Sequence, residues 1–192
     1  TSGRTKEHME RYTIAHLLSM LMKADLITYP VKLIHRDRPD FMLSMGNRRI
    51  GIEHSEAISQ NEAHKAVLRQ RGYGPETWYI SRTLPGEPRK QHKKLIKEIK
   101  ANDPGDGWEG NSPEAEWADV MFYFVKDKLN TIKKIGFERF DEDWLLIYDN
   151  WTLPAPEVRE GGSLLFEAVR QTSALQQFKR IFVMTEPLFC EI

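Results

Sequence analysis

The stretch Arg38-Pro39-Asp40-Phe41-Met42-Leu43-Ser44-Met45-Gly46-Asn47-Arg48-Arg49-Ile50-Gly51-Ile52-Glu53-His54-Ser55-Glu56 decides the fold. Residues 38–43 and 49–56 each read as a short strand. Residues 44–48 carry Gly-Asn turn chemistry between them, so the two halves are expected to form an antiparallel hairpin. Side chains alternate faces along a strand. Ile50, Ile52 and His54 therefore share one face, and Gly51, Glu53 and Ser55 the other. Glu53 among apolar neighbours, facing Asp40 across the hairpin, is costly. A buried carboxylate costs several kcal/mol unless something compensates it. A hard divalent cation is one such compensator, taking oxygen from one or two carboxylates and keeping several waters. Glu10, on the first helix, reads first as part of a solvated face; the sharper reading has it looking back toward this pair. His54, sharing its face with two isoleucines, reads as a core histidine rather than a ligand.

Outward from the hairpin, the order is regular. Ile14, Leu17, Leu18, Leu21 and Met22 give residues 5–23 a helical stripe, with Thr5 as a cap. Tyr29-Pro30 breaks the chain, and Val31–His35 reads as a strand. Residues 57–71 are compatible with an irregular helix, Ser59 and Glu62 forming a capping box. Residues 73–88 show no period. A basic helix is expected over 88–100, opened by Pro88, and 101–112 is a loop by composition. Ser112-Pro113-Glu114 opens a long helix through about Ile135, whose late Lys126, Lys128, Lys133 and Lys134 suit its C-terminal end. Trp144–Asp149 reads as a strand buried on both faces, 150–162 as a loop, Ser163–Phe178 as a helix and Arg180–Met184 as the last strand, with Pro187 breaking the tail.

The expected fold is α/β: a mixed central sheet with a helix layer on each side, in the order helix-strand-strand-strand-helix-strand-helix-strand. Residues 1–192 are expected to form a single domain, with a basic and aromatic insertion near 72–112. The 40% hydrophobic and 29% charged content suits a globular protein. No apolar run approaches the roughly 18 residues of a membrane span. The polar start does not look like a secretory signal, and Cys190, the lone cysteine, fits a reducing compartment. A cytoplasmic location is therefore expected. Net charge is zero, but residues 1–100 hold 19 Lys/Arg against 11 Asp/Glu, a balance of +8, offset by −8 in the rest. Such asymmetry either makes a basic face or is neutralised within the fold. Arg89, Lys90, Lys93, Lys94 and Lys97 are the candidate phosphate contacts; a solvated helix face is the bland alternative.

This element order, with Pro39-Asp40 opening the second strand and Ile52-Glu53 on the third, resembles the PD-(D/E)xK (restriction-endonuclease-like) nuclease superfamily. The resemblance spans most of the chain in element order, but its specific motif is only those two dipeptides, the acids lying thirteen positions apart. It implies that Asp40 and Glu53 bind Mg²⁺ (or Mn²⁺) for phosphodiester hydrolysis of DNA or RNA, helped by a lysine two residues after the glutamate. Ser55 stands at that position. Three readings follow: a lysine arrives from elsewhere, Lys65 on the next helix being the first candidate; Glu56, His54 or a water substitutes; or the site is inactive. In the last case the chain is a module binding nucleic acid or a protein partner, and Trp78, Trp108 and Trp151 would mark a partner surface.

Overall fold

The computed structural model describes residues 5–134, 136–186 and 188–192. Among these residues, six strands form one mixed sheet in sequential order. β1 (Val31–His35), β2 (Phe41–Met45) and β3 (Arg48–Ala57) make an antiparallel meander. β4 (Glu142–Asp149) runs parallel to β3, and β5 (Arg180–Thr185) parallel to β4. The hairpin turn is Gly46-Asn47, with Met45 opposite Arg48 and Phe41 opposite Ile52. That register sends Phe41, Leu43, Ile50 and Ile52 to one face, where they pack with Ile14, Leu17 and Leu21 of α1 (Lys6–Lys23). Thr5 caps α1, accepting a hydrogen bond from His8 N.

The other face carries α4 (Ser112–Thr131) and α5 (Val158–Val169), with the short α6 (Ala174–Gln177). Trp117, Met121 and Val125 of α4 and Leu165 and Val169 of α5 pack on Leu145, Ile147, Ile181 and Val183. A helix layer thus lies on each side of the sheet. α2 (Gln60–Gln70) and α3 (His92–Ala101) form a smaller unit joined through Leu68, Leu95 and Ile99. No helix among the described residues is long and apolar enough to cross a membrane.

Several boundaries differ from the sequence expectation. β3 runs on to Ala57, paired with Asp149, so α2 starts only at Gln60, with Ser59 accepting from Glu62 N. Pro88 does not open α3. Asn61 takes the Pro88 carbonyl with its Nδ2 (3.1 Å) and receives Lys90 N on its Oδ1 (2.9 Å), which ties this segment to α2. α4 stops at Thr131; Ile135 lies outside the described residues. The expected 163–178 helix begins earlier and breaks after Val169, where the Thr172 hydroxyl donates to the Val169 carbonyl (2.7 Å) and accepts from Ala174 N. Side-chain hydroxyls compete with helix bonds in this way. Gly161 and Gly162, read from sequence as loop, lie inside α5; a Cβ at Gly161 would stand 2.7 Å from the Trp117 ring, so glycine there lets the helix pack on α4. A sixth strand, β6 (Leu188–Glu191), pairs antiparallel with β5. Pro187, expected to break the tail, lies outside the described residues.

Gly51 binds the hairpin to the rest. A Cβ there would meet Asp143 Oδ1 at 2.7 Å, Phe140 Cδ2 at 2.8 Å and Pro39 Cγ at 3.0 Å. Overpacking of this kind costs about 1–3 kcal/mol. Gly51→Ala is expected to lower the melting temperature by roughly 2–12 °C for a chain of this size. A melting point within a degree of wild type would show that the Pro39 and Asp143 contacts yield freely.

Candidate functional site

Asp40 and Glu53 converge at the open end of the β2–β3 hairpin. The register that pairs Phe41 with Ile52 puts Asp40, one residue earlier, beside the Glu53–His54 step. Asp40 Oδ2 accepts a hydrogen bond from His54 N at 2.7 Å. Both acids are buried, 6% and 5% exposed. Burial first, and the Glu53 charge second, push the Asp40 carboxyl up to about 6. The two groups therefore sense each other as like charges in a site poor in water.

Two lysines serve this pair, and the sequence reading singled out neither of them for it. Lys128 Nζ, from the last turn of α4, donates to Glu53 Oε1 at 2.8 Å. Its charge also lowers the Asp40 pKa. Lys6 Nζ, from the first turn of α1, lies 3.1 Å from Glu10 Oε1 and 3.9 Å from Asp40 Oδ1. Glu10, beside it, holds the Lys6 ammonium above the usual lysine range, against desolvation and with help from Asp40. Glu10 is itself buried. Burial pushes its carboxyl up, but His35, whose Nε2 is 2.9 Å from Oε2, and Lys6 outweigh that and hold it low. Glu10 thus joins the cluster through Lys6 rather than by touching Glu53, which faces α4.

His54 is a buried core histidine, as its apolar face predicts, but its Nε2 has no hydrogen-bond partner among the described residues. Burial holds its pKa down to about 4, so the ring is neutral at pH 7. Glu53 Oε2 is likewise buried without a hydrogen-bond partner among them.

Other residues fall elsewhere. Lys65 does not reach the acids: its buried Nζ bonds Glu62 Oε1 at 2.7 Å and lies 3.2 Å from Glu98 Oε2, knitting α2 to α3. Glu56 is turned to Asn150, whose Nδ2 donates to its Oε1 at 2.8 Å. Ser55 follows Glu53 on the same face, half-buried opposite Ile147. Among the five basic candidates, Arg89, Lys93, Lys94 and Lys97 are exposed, while the Lys90 ammonium is 3.1 Å from Glu98. Trp151 is 8% exposed in the core and marks no surface; Trp108 is half-buried and donates to Glu116, and Trp78 is 48% exposed.

A cation fits the donors in one respect and is limited by them in another. Fully ionised, Glu10, Asp40 and Glu53 carry three negative charges against two on Lys6 and Lys128. The orphaned Glu53 Oε2 and the raised Asp40 pKa mark where the deficit sits. Yet among the described residues no set of three or more His, Cys, Asp or Glu side chains is arranged around a metal position. That donor set suits an ion content with two carboxylates and waters, such as Mg²⁺ or Mn²⁺, and not a zinc site. Compared with protein-family models, curated proteins and solved structures, the chain finds no match.

Proposed function

We propose that the chain is a metal-dependent phosphodiesterase acting on nucleic acid, with Asp40 and Glu53 as the metal-holding acids. One observation carries this reading: two buried carboxylates converge under-compensated, one oxygen of Glu53 without a hydrogen-bond partner among the described residues. A divalent ion held there would supply Lewis-acid stabilisation of phosphate charge and a coordinated water of lowered pKa. The protein's own groups do the positioning. Lys128 fixes the Glu53 carboxylate and supplies the positive charge that Ser55 cannot. The His54 amide fixes Asp40. Lys6, its side chain largely exposed, supplies a second cation at the rim for an anionic substrate. The expected setting is the cytoplasm, where Mg²⁺ and a reduced Cys190 are both at home.

The Lys6 and Lys128 pairs also favour a second reading, in which the acids are neutralised internally and the module binds without cutting. Thermal melting against Mg²⁺ or Mn²⁺ separates the two. An ion at about a hundred times its Kd adds about 2.7 kcal/mol to the folded state, a rise of roughly 5–10 °C here. Wild type is expected to show it and to cleave single- or double-stranded DNA or RNA; Asp40→Asn and Glu53→Gln are expected to show neither. If wild type and both variants melt identically across the titration, the internally neutralised module is the correct reading.

A further inference from the structure

We infer that the face formed by α3 and the segment after α2 is a binding track for single-stranded nucleic acid, with Trp78 and Tyr79 as base-stacking platforms. The inference deepens the reading above and rests on it for the class of substrate. It starts from charge. Residues 64–100 hold ten Lys/Arg against three Asp/Glu in a chain of zero net charge. α3 buries Leu95 and Ile99 and leaves Lys93, Lys94, Lys97 and Lys100 exposed. None of these four makes an ion pair with a described residue, in contrast to Lys65 and Lys90 on the inner side. A stripe of unpaired ammonium groups fits a polyanion.

Aromatic side chains lie on the segment that packs against α3. Tyr73 meets the His92 ring edge-on, and Gly74 packs on Ile99. Asn102 at the end of α3 pins the segment by accepting from Tyr79 N at 3.0 Å. The segment is therefore fixed, while Trp78 and Tyr79 remain 48% and 57% exposed. Arg69 supports Trp78 from beneath, its guanidinium 4.9 Å from the ring centre, which keeps the ring oriented. Trp78 and Tyr79 also wall a cavity of about 240 Å³ that Ile58 and Asn150 help to line. That is smaller than the roughly 300–1,000 Å³ of a drug-sized pocket, and it suits one unstacked base.

Rigid exposed aromatics beside unpaired cations are the elements of sequence-tolerant single-strand binding. A duplex hides its base faces in the stack and could use only the lysines. The cavity also lies just past the end of β3, the strand that carries Glu53. Ile58 follows β3 by one residue, five after Glu53, or about 17 Å along the strand. A strand held at Trp78 can thus run toward Asp40 and Glu53.

The test is fluorescence anisotropy in EDTA, with a labelled oligothymidylate of about fifteen nucleotides, the matching oligouridylate, and a duplex of the same length. Wild type is expected to bind either single strand at least tenfold tighter than duplex. Trp78→Ala/Tyr79→Ala should lose roughly 10- to 100-fold for single strands with an unchanged melting temperature, and change duplex binding less than twofold. Lys93→Ala/Lys97→Ala should flatten the salt dependence by about 1.4 in slope. Preference for the oligouridylate or for the oligothymidylate identifies the natural strand chemistry and supports the track in either case. Equal binding of duplex and single strand, or an unaltered aromatic double variant, overturns it. Because the assay contains no metal, binding is read apart from cleavage; tight aromatic-dependent binding here, with no cleavage once Mg²⁺ or Mn²⁺ is supplied, would remove the nuclease reading alone. Acid-dependent cleavage with no aromatic effect would remove this inference alone.

Discussion

Lys128→Met is expected to cost about 3 kcal/mol of stability, a fall of roughly 6–12 °C in melting temperature. Lys128 donates to one oxygen of Glu53, and the other is buried without a hydrogen-bond partner among the described residues. Removing the cation leaves an ion with one oxygen newly orphaned and none gained. Methionine keeps the apolar stem, so packing loss is small and the missing charge dominates. Glu53→Gln in the same background removes the stranded charge and should restore most of the loss, because a pair replaced together costs far less than one half left behind. If the double variant melts as low as Lys128→Met, the pair is not what holds this end of α4. The same substitution tests which lysine serves the site. Lys128→Met should reduce cleavage by at least two orders of magnitude. Lys65→Met should leave it nearly intact while loosening α2 from α3, since Lys65 is committed to Glu62 and Glu98. Cleavage lost in Lys65→Met and kept in Lys128→Met would reverse the assignment.

Ser55 announces that a lysine is missing, and the search then goes to the next helix in sequence. Chain proximity is a poor guide here, because β3 pairs with β4 across an excursion of more than eighty residues. The signal lay in α4 itself. Trp117, Met121 and Val125 mark its buried stripe, and Lys128 continues that stripe at helical spacing. A lysine on the inward face requires a partner, whereas the reading of Lys128 as a complement to the helix dipole treated it as surface. Lys6 gave no such sign, since it lies at the exposed start of α1.

The hairpin, by contrast, was legible in its pairing and its faces, although the turn is Gly46-Asn47 alone and Ser44, Met45 and Arg48 belong to the strands. Alternation in residues 50–55 placed His54 on the face of Ile50 and Ile52, which packs on α1, and Glu53 on the opposite face, where Lys128 meets it. What the pattern could not supply was β6, four residues long and half-exposed, or the break after Val169, which depends on one hydroxyl. The end of β3 at Ala57 is set by its pairing with Asp149, a contact no local window contains.

Stability should respond to pH in opposite directions in two variants of the same site, measured by urea unfolding in EDTA from pH 4 to 7. Burial and the Glu53 charge raise Asp40 from 3.8 to about 6 in the folded state. Its stabilising contribution is therefore complete below about pH 4 and is lost as pH rises through 6, a change on the order of 3 kcal/mol. Burial lowers His54 from 6.5 to about 4, opposed by Glu10 and aided by Lys128 and Lys6. Its contribution is complete above about 6.5 and is lost as pH falls through 4, again on the order of 3 kcal/mol. Across that window the two nearly cancel. Asp40 bonds the His54 backbone, not its ring, and neither charge is a cause of the other's shift, so removing one leaves the other in force. Relative to wild type, Asp40→Asn should be about 2–3 kcal/mol more stable at pH 7 and level with it at pH 4. His54→Gln, which leaves the Asp40 contribution uncovered, should lose stability relative to wild type as pH rises from 4 to 7. Titrating groups not coupled to Asp40 or His54 are common to all three proteins and drop out of these differences. A difference between Asp40→Asn and wild type that stays flat from pH 4 to 7 would mean the Asp40 carboxylate is already compensated without metal, and the charge deficit on which the site rests does not exist.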